Sequence, residues 1–572
     1  MFLIDQLYLF IKLKMNRINK ILLFLIILIG FSLRIINIDW DNGYIFHPDE
    51  RAIVMNATSL VYPKNLEEFL SPESRFNTNF FAYGNLPIYL LKVTGDIFSQ
   101  FNITYSQYSG IYLIGRILNV FVGTLTIILV FIYTKKLFNI KTGLLASFFL
   151  SIAVFPIQNA HFFTVDTLLS FFILLTLIFL NSYYKKPTFT SAMLIGISLG
   201  LCLATKISSL PILLTILFFV FISQLIKKGG WKKIIIPFTQ SFLAILLFSS
   251  LVFIVSQPYA VIDYKEFLDQ VIYQSKMGTD PFVFPYTLQY VDKLNFIYEI
   301  KNIIFWGLGI PLGLFAFAGY FLTLNELARN FLKKINLLPI LLFMTSFFIL
   351  NSLYAVGWMR YLLPIYTLLT IFAAFFVIKT FNYLKNYPFM KKRVSKYFYF
   401  SIVLFSSLLW TISFMQIYLN PHSKLAVSDW INQNIPISST LAVEHWDDVL
   451  PVYGGENYNY QTLALYDPDT KEKWININNQ LEKSDYIIIA SNRLYTPLQK
   501  LTNCKVLPEN RCYPRTAEYY KKLFSEKLGF EKVAEFTSFP KIPFTNIIIN
   551  DQSADESFTV YDHPKVMIFQ KK

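Results

Sequence analysis

The stretch ILLFLIILIGF, at Ile21–Phe31, is an uninterrupted apolar run that decides the fold class. A second run, FFILLTLIFL at Phe171–Leu180, is almost as apolar. Hydrophobic residues make up 54% of the 572 residues, a share that a soluble domain could bury only in a very large core. Laid out in long runs, such residues are typical of helices that cross a membrane. The first run reaches Arg34 without a small-residue cleavage site, so we expect a retained anchor.

Further apolar stretches follow along the chain. A membrane-spanning helix needs roughly 20 mostly apolar residues. By this measure the sequence predicts a multi-pass α-helical membrane protein with a bundle of about 11 spans. The predicted spans lie near residues 19–36, 109–133, 142–158, 162–183, 188–204, 207–226, 234–256, 302–324, 336–355, 361–380 and 397–418. The stretches 142–158 and 188–204 are short for a span.

Basic residues predict the orientation. They cluster in alternate segments between the spans, and short cytoplasmic loops are enriched in Lys and Arg. The clusters are Lys12, Lys14, Arg17 and Lys20; Lys135, Lys136 and Lys141; Lys185 and Lys186; Lys227, Lys228, Lys232 and Lys233; Arg329, Lys333 and Lys334; and Lys385, Lys391, Lys392, Arg393 and Lys396. We therefore expect a plasma-membrane protein with a cytoplasmic N-terminus and an extracytoplasmic C-terminus. The net charge of +15 then serves topology, and no nucleic acid partner is expected.

Two domains follow from this topology. Residues 1–420 form the transmembrane domain, with a first outer loop at 37–108 and a second at 257–301. Residues 421–572 form an extracytoplasmic tail in which the apolar runs shorten. The tail alternates helical stretches with strand-like ones, which predicts a small α/β domain. The stretches are Ala426–Asn434 and Ala517–Leu528 for helices, and Asp485–Ala490 and Val566–Phe569 for strands.

The first outer loop carries two adjacent carboxylates in His47-Pro48-Asp49-Glu50-Arg51. Carboxylates at a membrane surface are suited to proton abstraction or metal contact. The alternative is a purely structural role, in which Asp49 and Glu50 complement the dipole of a helix that begins here. The motif by itself leaves both interpretations open.

Five ionisable residues lie near the predicted outer ends of the spans. A charge at the centre of a bilayer costs at least ~2.5–3.5 kcal/mol, so we expect these side chains to converge on one polar cavity. Cations in such a cavity can bind a lipid phosphate, with arginine as a two-pronged donor. Alternatively, each side chain reaches water independently, and Asp166 merely closes a turn. The five are Arg116, His161, Asp166, Lys206 and Arg360.

Three further features leave alternatives open. Asp49 and Asp166 are the candidate ligands of a divalent metal, but two carboxylates without tight spacing do not decide whether one binds. In the tail, Glu444-His445-Trp446-Asp447-Asp448 is either a functional loop, with Trp446 stacking on a sugar ring, or a polar loop after a strand. Cys504 and Cys512 are close in sequence and lie in the predicted extracytoplasmic tail, where a disulfide between them could persist.

Several motifs, in their order, resemble one family of membrane enzymes. The motifs are Asp39-Trp40-Asp41, His47-Pro48-Asp49-Glu50-Arg51, Tyr83-Gly84-Asn85-Leu86-Pro87-Ile88-Tyr89, Gly115-Arg116, His161 to Asp166, Ala204-Thr205-Lys206, Gln257-Pro258-Tyr259 and Arg360-Tyr361-Leu362-Leu363-Pro364. They resemble the dolichyl-phosphate-mannose-protein mannosyltransferases (glycosyltransferase family 39), especially prokaryotic members, which are similar in turn to aminoarabinose transferases of lipid A. The resemblance covers roughly residues 37–370.

The resemblance implies a GT-C fold, a polyprenyl-phosphate sugar donor and transfer with inversion. It implies that Asp49 is the catalytic acidic residue, with Glu50 beside it. Arg116, Lys206 and Arg360 would bind the donor phosphate. His47, His161, Asp166 and Tyr361 would support the site or the acceptor. The chain has no room for the MIR domains of eukaryotic members, so protein O-mannosylation does not follow.

We therefore expect a glycosyltransferase that moves mannose or another hexose or pentose to a protein, lipid or glycan on the extracytoplasmic side. One alternative is a transporter or flippase of polyprenyl-linked sugars, which would carry polar residues through the membrane midplane and repeat symmetry. Another is a non-catalytic membrane assembly component, which would never consume a polyprenyl-phosphate sugar.

Overall fold

The computed structural model describes residues 15–572; Lys12 and Lys14 of the first basic cluster lie outside them. Within residues 15–572, nine helices, taken with the short turns that adjoin them, are long and apolar enough to cross a membrane. Their bounds are Arg17–Ile35, Tyr108–Leu137, Val165–Lys185, Pro211–Lys228, Trp231–Ser256, Ile310–Arg329, Leu338–Leu353, Leu363–Leu384 and Arg393–Leu419. The predicted multi-pass helical membrane protein is confirmed.

The two short predicted spans are a broken helix and a short one. The helix Phe189–Thr205 has 17 residues. The helices Ile140–Ile152 and Val154–Ala160 follow each other with a bend of 60°. With these two, each of the predicted spans corresponds to an apolar helix.

Pro156 explains the break between the helices Ile140–Ile152 and Val154–Ala160. A proline has no N–H, and its ring collides with the carbonyl four residues earlier, here that of Ile152. This carbonyl instead accepts a hydrogen bond from the Thr411 hydroxyl at 2.5 Å. The buried guanidinium of Arg34 donates to the carbonyls of Leu150 and Ser151 at 3.0 and 3.1 Å. A cation at a helix C-terminus is stabilised by the free carbonyls, so Arg34 holds the break.

Short helices in the two long loops cover one end of the bundle, which we call the tail face because the tail also packs there. In the first loop they are Pro48–Ser59, Leu66–Leu70 and Leu86–Phe98, and in the second they are Tyr259–Ile262, Tyr264–Thr279 and Ile297–Asn302. The first-loop helices bury Ile53, Ile88 and Leu91 against Ile111 of the helix Tyr108–Leu137. This core fixes the first loop on the bundle.

The tail is an α/β domain, as predicted. Its strands are β1 (Thr440–Glu444), β2 (Asn459–Leu463), β3 (Tyr486–Ile489), β4 (Phe530–Phe536) and β5 (Val566–Lys571), in the order β2-β1-β3-β5-β4. β1 runs parallel to β2 and β3, and β5 runs antiparallel to β3 and β4. Its helices include Ser423–Asn434, Lys471–Lys483 and Pro514–Phe524. Cys504 and Cys512 form a disulfide, with Cα atoms 5.4 Å apart.

The tail is joined to the bundle through buried groups. Phe558 belongs to the same hydrophobic core as the membrane helices. The carboxylate of Asp562 accepts hydrogen bonds from the Gln158 amide at 2.9 Å and from the Tyr418 hydroxyl at 2.7 Å. Because these groups are buried and paired, the tail has a fixed position on the bundle.

Candidate active site

Asp49 and Arg360 form an ion pair at the tail face. Asp49 lies in the first turn of the helix Pro48–Ser59, and Arg360 lies in the 3-10 turn Met359–Leu362 that begins a membrane helix. Both side chains remain 11–15% exposed. The Nε of Arg360 is buried and has no hydrogen-bond partner among the described residues. The pair is thus partly accessible at the tail face.

A second carboxylate–cation pair lies beside the first. The Nζ of Lys206 is 2.8 Å from the Oδ1 of Asp166 and 3.9 Å from the centre of the Tyr361 ring. The guanidinium of Arg360 lies 5.7 Å from the same ring. Cations are attracted to an aromatic face, so Tyr361 holds Lys206 and Arg360 at one place. Asp49, Asp166, Lys206, Arg360 and Tyr361 therefore meet. Of the five ionisable residues expected to converge, this group contains Asp166, Lys206 and Arg360, but not Arg116 or His161.

A close backbone approach brings the first loop to Lys206. The Gly84 N–H donates to the Thr205 carbonyl at 3.0 Å, and a Cβ at position 84 would lie 1.9 Å from the Ala204 oxygen. Only glycine permits this contact. Burial raises the pKa of Tyr83, the neighbour of Gly84, well above its usual value, and Tyr361 and Asp166 raise it further.

Arg116 differs from its prediction. All five of its N–H donors are used: Nε and Nη2 donate to Glu50, Nη1 and Nη2 donate to Asp41, and Nη1 donates to the Ile38 carbonyl, at 2.7–3.0 Å. Arg116, Asp41 and Glu50 are fully buried. Glu50 also accepts from the Phe163 N–H at 2.9 Å. With no donor left for a phosphate and no exposed carboxylate, Arg116 and Glu50 hold the first loop in place.

The two histidines predicted to support the site, His47 and His161, are both buried and make contacts within the protein. His47 caps the helix of Asp49, its Nδ1 accepting from the Asp49 N–H at 3.2 Å. Burial, and then the charge of Arg360, hold the pKa of His47 well below its usual value, which keeps the ring neutral for this role. His161 lies with its ring nitrogens 3.0 Å from the carbonyl oxygens of Ile157 and Ile36. Its ring stacks on Tyr418, so it has no face toward the site.

The tail supplies Tyr561 and Arg493, which the sequence did not single out as site residues, and Trp446, which it did. Tyr561 packs against His47, with 4.1 Å between ring centroids. Arg493 pairs with Glu556 at 2.6 Å and donates to the Trp446 carbonyl at 3.2 Å. The ring centroid of Trp446 lies 6.2 Å from that of Tyr286, in the second loop. We place these residues at the mouth of the site.

The parallel pairing of β1 and β3 marks Arg493 as a candidate binding residue. In open α/β sheets, binding residues follow the carboxyl ends of parallel strands. The loop after β1 carries Trp446, and the loop after β3 carries Ser491 and Arg493; Ser491 donates to Asp447. The strand-like stretch Asp485–Ala490 predicted β3, but the sequence did not predict that β3 pairs in parallel with β1.

A metal ligand set is not evident in the described part of the chain. Within residues 15–572, no three His, Cys, Asp or Glu side chains are grouped so as to hold a metal ion. Asp49 and Asp166 each have a cation as partner. Metal binding by these two carboxylates would therefore displace Arg360 or Lys206, or draw ligands from a substrate.

Known proteins are similar to this chain in one segment of its sequence and in its overall fold. Residues 111–254 match the family model of the dolichyl-phosphate-mannose-protein mannosyltransferases. No curated protein matches the chain. The archaeal oligosaccharyltransferase AglB from Archaeoglobus fulgidus, in complex with an inhibitory peptide and a dolichol-phosphate, is similar with a TM-score of 0.50 and 14% identity, over 97% of this chain and 88% of AglB.

Two more solved structures are similar at lower scores. ArnT from Cupriavidus metallidurans bound to undecaprenyl phosphate has a TM-score of 0.44 and 12% identity, over 95% of this chain and 97% of ArnT. The S. cerevisiae Pmt1-Pmt2 complex has a TM-score of 0.32 and 14% identity, over 44% and 34%. At such identities the AglB likeness concerns the fold alone. Together with the family match, it confirms the predicted resemblance: the chain is a membrane glycosyltransferase of the GT-C fold, similar over residues 111–254 to the dolichyl-phosphate-mannose-protein mannosyltransferases.

Proposed function

We propose that the chain transfers mannose or another hexose or pentose from a polyprenyl-phosphate donor to an acceptor, with inversion at the anomeric carbon. The observation that carries this proposal is that two carboxylate–cation pairs, Asp49–Arg360 and Asp166–Lys206, flank one aromatic ring at one end of the bundle. Such a place has both the cations for a lipid phosphate and a carboxylate base. The dolichol-phosphate in the AglB complex supports a donor of this class.

Arg360 and Lys206 would hold the donor phosphate. Arginine and lysine both bind phosphate oxygens through charge-assisted hydrogen bonds, and the side chain of Arg360 is partly exposed. A phosphate at this place competes with Asp49 for the guanidinium of Arg360. Donor binding would therefore release the Asp49 carboxylate toward the acceptor.

Asp49 would act as the general base. A hydroxyl or amine of the acceptor attacks the anomeric carbon and its proton passes to Asp49. The bond between the anomeric carbon and the phosphate oxygen breaks, and the polyprenyl phosphate leaves with the electron pair. Arg360 and Lys206 stabilise the negative charge that develops on it. Asp166 would orient Lys206, and Tyr361 would keep both cations in position.

The site would lie on the extracytoplasmic side of the plasma membrane, with residues 1–420 as the catalytic domain. Residues 421–572 would form the extracytoplasmic domain that borders the acceptor, which is a protein, lipid or glycan. Arg116 and Glu50 would contribute only by fixing the loop that carries Asp49.

The direct test incubates the purified full-length protein with a panel of polyprenyl-phosphate sugars and measures release of the lipid phosphate. Parallel reactions with and without EDTA decide whether a divalent metal takes part. We expect one donor of the panel to be consumed, and its consumption to increase with a suitable acceptor. A protein that consumes no donor but moves one between leaflets of a vesicle would contradict the proposal in favour of transport.

A further inference from the structure

The tail contains a hairpin with apolar side chains at its tip, formed by residues 540–549, which we call the tail hairpin. Lys541 and Ile548 pair across it. We propose that the tail hairpin is embedded in the lipid leaflet at the tail face, and that its binding partner is the bilayer itself. This inference is independent of the catalytic proposal, because it depends only on the membrane span beside the hairpin.

The depth of the hairpin follows from one hydrogen bond. The Lys541 N–H donates to the Ser413 carbonyl at 3.2 Å. Ser413 lies inside the membrane helix Arg393–Leu419, six residues before its end, which corresponds to about 9 Å of helix rise. Counted from the end of the helix, a segment bound at this level would lie at the boundary between headgroups and acyl chains, where interfacial elements insert to about 5–10 Å.

The side chains at the tip fit that environment. Phe544 is fully exposed, and Ile547 and Ile548 are 57% and 59% exposed. Three large apolar side chains exposed on one short hairpin are unfavourable in water, and their transfer into an apolar environment is favourable. Lys541 is also exposed, and its long side chain can extend to the lipid phosphates.

The backbone of the hairpin is also suited to lipid. In a bilayer, N–H groups must find partners within the protein. Pro540 and Pro543 have no N–H. Five other residues donate their N–H groups within the hairpin or to Ser413. These donors are Lys541 to Ser413, Ile542 to Ile547, Thr545 to Ile542, Ile547 to the Thr545 hydroxyl and Ile549 to Pro540, at 2.8–3.2 Å. Most of the hairpin's donors therefore do not need water.

The hairpin continues a surface that already faces lipid. On the same membrane helix, Phe405 and Ile412 are 67% and 38% exposed, as expected for side chains in contact with acyl chains. An open groove of about 400 Å³ separates Gln416 of this helix from the hairpin. Lipid would fill the groove and cover the tip in one continuous contact.

The test uses the full-length protein in lipid nanodiscs. An environment-sensitive NBD fluorophore is attached to Phe544→Cys, and to Ile547→Cys as a second position. Cys504 and Cys512 are disulfide-bonded, and Cys202 is buried, so labelling is selective. The control is Ile437→Cys, which is 74% exposed. It lies just before the amino end of β1, and the opposite end of this strand leads to Trp446.

We expect blue-shifted emission at positions 544 and 547, and quenching there by lipids that carry a shallow doxyl group. The Ile437→Cys fluorophore should emit as in water and escape quenching. Water-like emission at both hairpin positions would overturn the proposal. A blue shift without lipid quenching would also overturn it, because the hairpin would then be covered by protein, such as a second copy of the chain.

Discussion

The imidazole ring of His47 packs against the phenol ring of Tyr561, with 4.1 Å between their centroids. This contact joins the tail to the residue that caps the helix of Asp49. A second link is the ion pair between Arg51 and Asp448, at 3.3 Å. The tail thus contacts the segment His47–Arg51 on both sides of Asp49, and we infer that it positions this carboxylate.

Tyr561→Leu should lower kcat about 10- to 100-fold with little change in KM for the donor, because small displacements of a catalytic group are costly. Tyr561→Phe keeps the ring and should retain most activity. The measurement is steady-state release of lipid phosphate. Equal activity of the Leu and Phe variants would contradict a positioning role, provided that both melt at the wild-type temperature.

Asp49→Asn should abolish transfer, with a loss of about 10²–10⁴-fold, because an amide cannot accept the acceptor's proton. Folding and donor binding should be largely retained, since the side chain keeps its shape at a partly exposed position. The measurement compares transfer with equilibrium binding of the donor. Asp96→Asn, which removes a carboxylate of the first loop that pairs with Lys92, is the control. Full activity of Asp49→Asn would remove Asp49 from the mechanism.

Arg360→Gln should weaken donor binding and lower kcat/KM about 10²–10³-fold, the cost of losing one donor to a developing charge. The matched control is Arg329→Gln, at the end of another membrane helix and away from the site. Donor titration at several salt concentrations measures the effect. Unchanged affinity for polyprenyl phosphate in Arg360→Gln would exclude this residue from the phosphate site.

Arg116→Met should destabilise the protein by about 3–5 kcal/mol, because it leaves the buried carboxylates of Asp41 and Glu50 without their cation. The expected result is a large loss of thermal stability in detergent. A variant that melts normally but has lost donor binding would show instead that Arg116 binds the phosphate, as the sequence alone predicted.

The stability of the tail should fall as the pH rises. Burial lowers the pKa of His563, but Asp551 and Asp562 outweigh it and raise this pKa to about 10. The unfolded pKa is near 6.5. The charged histidine therefore stabilises the folded state fully below about pH 6.5, and this contribution is lost between pH 6.5 and 10. His563→Gln should melt at a lower temperature near pH 6 and show a flatter profile. Equal profiles of both proteins would contradict the assignment.

Much of the fold could be predicted because its signals are local. The apolar runs predicted the spans, since a bilayer of fixed thickness demands a fixed helix length. Pro156 shows the limit of this reasoning. The run 142–158 has the length of a short span, but the break inside it depends on whether Arg34 and Thr411 can satisfy the freed carbonyls.

The sequence by itself determined that charges of both signs meet at one end of a membrane bundle, because each is too costly in lipid to stand alone. Only the tertiary structure decided which cation faces which carboxylate. In the sequence, Arg116 and Arg360 are both cations near the predicted outer end of a span, and each needs a partner. In the structure, Arg116 is enclosed by Asp41 and Glu50, while Arg360 meets Asp49 at a partly exposed position. Partner choice depends on distances in space, and separation along the chain does not encode them.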